Sequence, residues 1–268
     1  MPRLAEAGHR RGRITTNPVR KKAMTTTSPE SIPRSEALSA AQAAARTTLK
    51  WLDPGKTRKK KVIAVGGLKG GVGKSTMSVY LALVYAVAYG LKVLLVDADP
   101  LSQTAYDWHR IAKKKGDPLP FDIETWPHAR VGQRVMEDTD GYDVVVIDCG
   151  GESSDIFGSA VAVCDHVLFI TSPRKAEMRR IKGSLDGALS AARHAGRLHE
   201  ISANVVFTRV KNARASHNEA ARGKVKEAGY DLLPAEIPDL VDYEDAMETC
   251  PKELGHYRAL VETLEMAA

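Results

Sequence analysis

Between an apolar strand candidate, Val62-Ile63-Ala64-Val65, and an apolar helical stretch from Thr76 to Tyr89, the chain carries Leu68-Lys69-Gly70-Gly71-Val72-Gly73-Lys74-Ser75-Thr76. A glycine-rich turn leaving a buried strand and opening a helix is compatible with few architectures, because backbone N–H groups at a helix N-terminus form an anion site. Gly70, Gly71 and Gly73 let the backbone curl around a phosphate, Lys74 supplies the charge and Ser75 a hydroxyl for a divalent cation. A chance glycine turn is the bland alternative, and the flanking strand and helix argue against it. Lys69 is surplus. Two ammonium groups on one phosphate repel, so Lys69 is expected to reach outward, into a second copy of the same site.

Beyond the loop, strand and helix patterns alternate. Apolar strand candidates fall at 62–66, 92–97, 121–125, 143–148, 166–171, 203–208 and 232–237, with helical segments between most of them. Near-continuous Val, Ile and Leu runs spaced by helices predict an α/β fold with a mostly parallel twisted sheet, covered by helices on both faces. Two of the strands end in acids, Leu94-Leu95-Val96-Asp97-Ala98-Asp99 and Val144-Val145-Val146-Ile147-Asp148. The carboxyl ends of parallel strands share one edge, so Asp97, Asp99 and Asp148 are expected to converge on the loop. Any one of them alone reads as a helix cap.

Charge is unevenly distributed. Residues 1–61 hold 15 Lys and Arg against 4 Asp and Glu, leaving 24 against 29 for the remainder, so the high basicity belongs to the N-terminal extension. Residues 1–34 lack apolar periodicity and read as a disordered basic tail, with Met24 an ordinary-looking start inside it. Residues 35–61 read as a helix and basic linker, with Ser35 as N-cap, Leu38, Ala41, Ala45, Leu49 and Leu52 on one face, and Pro54-Gly55 as terminator. The chain from 62 to 268 reads as one domain. Cys149, Cys164 and Cys250 form no C-x-x-C pair, so neither a disulfide framework nor a zinc site is indicated and a reducing cytoplasm fits. The apolar stretch around Val79–Ala88 falls short of the roughly 20 residues that a membrane span needs.

The run from Lys69 to Thr76 resembles the deviant Walker A box of the ParA/MinD ATPases, most of all partitioning ParA proteins, over roughly residues 62–250. The resemblance implies a P-loop ATP hydrolase of weak intrinsic activity with ATP and Mg²⁺ as cofactors. It implies that Gly70, Gly71, Val72, Gly73, Lys74, Ser75 and Thr76 hold the phosphates, that Lys69 contacts the nucleotide of an opposite subunit in an ATP-dependent homodimer, and that Lys69, Lys74 and Asp99 act in catalysis. Ser75, Asp97 and Asp148 would serve the metal, and Thr208 and Pro238 would stand at the base. Two departures are evident: Pro100-Leu101-Ser102 replaces Pro-Gln-Gly, and Cys149-Gly150-Gly151 replaces a segment that usually begins Pro-Pro.

Arg209, Lys211, Arg214, Arg222, Lys224 and Lys226 cluster within an otherwise acidic body. The resemblance makes them candidates for nonspecific DNA, each phosphate contact adding a salt-sensitive increment that a dimer doubles. It further implies a cytoplasmic, nucleoid-associated protein with a ParB-type centromere-binding partner, segregating plasmid or chromosomal DNA. The alternative is a MinD-like or other ParA-type ATPase that positions a protein cluster or a membrane-associated cargo. The C-terminal run His256–Met266 has two glutamates against one arginine, so no stable membrane association is expected.

Overall fold

The computed structural model describes residues 34–52, 60–67, 70–151, 154–179, 181–197 and 200–266. Lys69, the tail of residues 1–33 with Met24, and the linker 53–59 lie outside them. Seven strands, β1 (Lys61–Gly66), β2 (Val93–Asp97), β3 (Asp122–Thr125), β4 (Val144–Asp148), β5 (His166–Thr171), β6 (Ser202–Phe207) and β7 (Asp231–Leu232), form one sheet in the order β3-β2-β4-β1-β5-β6-β7. Every pairing is parallel, as the Val/Ile/Leu runs predict. β1, β2, β4 and β5 are buried along their whole length, whereas edge strand β3, Asp-Ile-Glu-Thr, has no fully buried residue and carries charges that discourage further pairing.

The helices are α1 (Arg34–Arg46), α2 (Lys74–Val87), α3 (Thr104–Lys114), α4 (Val131–Asp138), α5 (Ser154–Val161), α6 (Lys175–Met178), α7 (Ile181–His194), α8 (Ser216–Glu227), α9 (Val241–Asp245) and α10 (Gly255–Met266). Side chains alternate across a strand, so the sheet packs on both faces. Ile63, Val65, Leu95, Val144 and Val146 pack with α2, α3 and α10 on one face. Val62, Ala64, Leu94, Val96, Val145 and Ile147 pack with α4, α5 and α7 on the other. By the same alternation Asp97, two residues past Leu95, and Asp148, two past Val146, turn to the α2 face.

Two expectations change. α1 ends at Arg46 instead of running to Leu52, and only a short 3-10 turn, Lys50–Leu52, follows. Thr47 and Thr48 turn their hydroxyls back onto Ala44 O and Ala45 O, at 2.7 Å each, a local alternative to helical continuation. The helix rests on its own domain, where Gln42 donates to Val87 O at 2.9 Å and Arg46 Nε to Tyr89 O at 2.6 Å, while Leu38 and Ala41 stay exposed. The last strand covers Asp231–Leu232 and not 232–237, because the chain bends at Pro234. The backbone still tracks β6, with Leu233 N–H donating to Val205 O and Ile237 N–H to Phe207 O.

Among the described residues no helix is long and apolar enough to cross a membrane. The apolar face of α10, Tyr257, Leu260, Val261 and Leu264, is buried in the α2-side core.

Candidate functional site

α2 begins at Lys74, two residues ahead of its expected start, because Gly73 takes a left-handed φ of 89° that a side chain would resist. Lys74 and Ser75 therefore occupy the first turn, where unpaired N–H groups and the helix dipole favour an anion. A cavity of about 610 Å³ opens over this turn, lined by Gly70, Gly71, Gly73, Lys74, Ser75 and Thr76 on one side and by Asp99, Leu101, Gly151 and Arg209 on others. A smaller one of about 280 Å³ adjoins it, bordered by Val72, Thr208, Arg209, Pro238, Tyr243, Glu244 and Met247.

The three acids arrive from neighbouring strands, since β2 and β4 pair with Asp97 opposite Asp148, and β1 pairs with β4 so that Val65 lies opposite Asp148. Asp97 is fully buried and accepts N–H bonds from Asp99 at 3.1 Å and Tyr106 at 3.0 Å, so it caps the first turn of α3 from the end of a strand. Burial raises its pKa, against the pull of those two donors. Asp148 is the most unusual of the three. It is 1% exposed, and neither carboxylate oxygen accepts a well-formed hydrogen bond. Burial first, and the Asp97 charge second, push its pKa up to about 7, although Ser75, Lys74 and Ser78 lie close enough to pull the other way. A buried carboxylate without a well-formed hydrogen bond, beside a helix-first-turn serine and a second acid, has the donor set of a hard cation site and fits Mg²⁺.

Asp99 sits at the mouth. Its oxygens accept the N–H of Leu101 at 2.9 Å and the Ser102 hydroxyl at 2.9 Å. Burial works to raise its pKa, but these bonds and the Lys74 charge bring it below the usual value, so it is a carboxylate. Gly150, part of the Cys149-Gly150-Gly151 departure, explains how Asp99 fits: a Cβ there would stand 2.9 Å from the Asp99 carboxyl carbon.

Thr208, expected at the base, is 2% exposed and donates its hydroxyl to Val72 O at 2.6 Å. That hydroxyl ties the phosphate loop to the end of β6 and is not free to donate to a ligand. Pro238 does line the smaller cavity. The basic cluster divides. Arg222 is held by Glu236 at 2.6 Å, Glu219 at 3.0 Å and Ala213 O at 3.2 Å, so its charge is neutralised within the protein. Lys211 lies 3.7 Å from Asp239 and Arg209 lies 3.9 Å from Glu244. Arg214, Lys224 and Lys226 are exposed, but Lys224 and Lys226 stand about 200° apart around α8 and do not share a face.

A third cavity, also about 610 Å³, lies at the opposite edge of the sheet. Its cations are helix caps: Lys60 donates to Val135 O at 3.1 Å near the end of α4, and Arg197 to Ala162 O at 2.9 Å at the end of α5. Sequence reasoning also missed Glu265, 6% exposed, which accepts from Lys61 at 2.6 Å, Trp51 at 2.9 Å and Tyr85 at 2.5 Å and joins both ends of the described chain to β1 and α2. Its partners are up to 214 residues away in sequence, beyond the reach of any local pattern.

With the loop, the converging acids and the parallel sheet in place, the chain can be compared with known proteins. Residues 63–249 match the CobQ/CobB/MinD/ParA nucleotide binding domain. The chain belongs to that family. Over 178 residues it is 29% identical to the maintenance of carboxysome distribution protein A of Gloeobacter kilaueensis, covering 66% of this chain and 76% of that protein. A putative plasmid partition protein from Borrelia burgdorferi B31, solved bound to AMPPNP, superposes with a TM-score of 0.59 at 19% identity, over 78% of this chain and 98% of that one. The septum site-determining protein MinD of Pyrococcus horikoshii OT3, solved with Mg-ADP, gives a TM-score of 0.52 at 18% identity, over 78% of this chain and 96% of that one. The two structures share the fold, and the expected kinship with the ParA/MinD group holds.

Proposed function

We propose that the chain is an ATP-dependent partitioning ATPase that dimerises on binding ATP, holds nonspecific DNA as the dimer and lets go after hydrolysis, so segregating plasmid or chromosomal DNA. The observation that carries the reading is Asp148, a buried carboxylate without a well-formed hydrogen bond, beside Ser75 and Lys74, two residues that line the phosphate-loop cavity. In this reading the loop N–H groups and Lys74 bind the phosphates, and Ser75, Asp148 and Asp97 hold Mg²⁺, which when bound neutralises phosphate charge. Asp99, ionised and at the mouth, orients the attacking water. Lys69 reaches the nucleotide of a second copy, and Pro238 borders the base. Lys211, Arg214, Lys224 and Lys226 are exposed cations available to DNA, joined by the basic tail, and a ParB-type partner stimulates turnover.

A second reading, positioning of a protein cluster, is favoured by the carboxysome-distribution relative. Both readings share the nucleotide site and differ in cargo. Nucleotide titration and phosphate release test the shared part. Lys74→Ala is expected to lose ATP binding, whereas Lys69→Ala keeps binding and loses dimerisation and turnover. A Lys69→Ala protein that dimerises and hydrolyses as the unmutated chain does would refute the two-copy site.

A further inference from the structure

Arg209 belongs to the basic cluster by sequence, yet it is the one member that borders both cavities of the site. Its backbone is held at a φ of 54°, unfavourable for a residue with a side chain. The neighbours enforce it: Thr208 N–H donates to Thr171 O at 2.9 Å and Val210 N–H to Ile237 O at 3.2 Å. The turn places the side chain at the junction between the space over Lys74 and the space beside Pro238 and Tyr243. Its ion-pair partner there is Glu244 of α9, at 3.9 Å, with the two side chains 42% and 68% exposed. That separation is too long for a charge-assisted hydrogen bond, whose ordinary length is about 2.7–2.9 Å.

We infer that Arg209 is a ligand of the nucleotide's phosphate chain, held near Glu244 until the nucleotide arrives, and that it is not a DNA contact. The inference rests on the nucleotide reading of the cavity. A guanidinium matches phosphate oxygens in a bidentate fork, and a group that lines both cavities lies where a molecule filling both must pass. A duplex is a convex rod and does not enter such a mouth, whereas Arg214, Lys224 and Lys226 are exposed outside it. Glu244 competes for the same guanidinium, so it opposes nucleotide uptake.

The test is calorimetric titration of the full chain with ATP, ADP and adenosine, for the unmutated protein and for Arg209→Gln, Arg209→Lys, Glu244→Gln, Lys74→Ala and the Arg209→Gln/Glu244→Gln pair. Arg209→Gln should weaken ATP and ADP by about 10- to 100-fold and leave adenosine unchanged, with Arg209→Lys between. Glu244→Gln, on an exposed side chain that cannot upset folding, should tighten ATP about 2- to 5-fold, and that gain should vanish in the Arg209→Gln background. Retention of nonspecific duplex DNA at saturating ATP should be the same in Arg209→Gln as in the unmutated chain. ATP binding unchanged in Arg209→Gln, with Lys74→Ala still defective, would overturn the Arg209 assignment alone. Loss of DNA retention at saturating ATP would return Arg209 to the DNA surface. An unmutated chain that takes up no ATP would end both the assignment and the nucleotide reading beneath it.

Discussion

Asp148 and Asp99 show two carboxylates at one strand edge being given different properties by their surroundings. Asp148, buried beside Asp97, is pushed up to about 7 in spite of the nearby Lys74, Ser75 and Ser78, while Asp99, bonded to Leu101 and Ser102, is kept ionised. The seat of Asp99 depends on a missing side chain. Gly150→Ala would set a methyl 2.9 Å from the Asp99 carboxyl carbon and 2.9 Å from one of its oxygens, closer than real side chains approach, so Asp99 must move. If Asp99 orients water, the variant should bind ATP within about twofold of the unmutated chain but hydrolyse it about 10- to 100-fold more slowly. Single-turnover phosphate release with a parallel binding titration checks this, and unchanged turnover would remove Asp99 from the mechanism.

Elements explain what the sequence could and could not disclose. The strands were legible because doubly covered parallel strands are nearly uninterrupted apolar runs, and the acids because they terminate two such runs. β7 is shorter than the apolar residues around Pro234 suggest because the chain bends there. The internal partners of Thr208 and Arg222 were not legible for another reason: a residue's type does not show that its hydroxyl faces Val72 O or that Glu236 waits across the fold. The Glu265 cluster, joining Trp51, β1, α2 and α10, belongs to this class and is testable. Lys61 and Glu265 are each 4% exposed in their side chains, so Lys61→Met would leave a buried carboxylate with only Tyr85 and Trp51 as donors. Removing one partner of a buried pair costs about 3–5 kcal/mol, and the two remaining donors put this case near 3 kcal/mol. Urea unfolding should show that loss in Lys61→Met and recovery of most of it in Lys61→Met/Glu265→Gln. A loss below about 1 kcal/mol would mean that the pair is not a structural clasp.

For the whole molecule, the parallel sheet brings the loop after β1 and the acids ending β2 and β4 to one edge, and the cations Lys60 and Arg197 at the other edge cap helices. The candidate site therefore lies at one edge, where exposed apolar side chains, Leu101, Leu240 and Met247, also surround the opening. Such a rim around a charged site suits contact with a second copy. The measurement that tests this directly is the mass of the full chain in solution by light scattering, without nucleotide, with ATP and Mg²⁺, and with nonspecific duplex DNA added. The account predicts a monomer without nucleotide, a dimer with ATP and Mg²⁺, and a DNA complex formed by the dimer alone that weakens steeply with salt. A chain that stays monomeric in saturating ATP and Mg²⁺, or binds DNA equally without nucleotide, would contradict it.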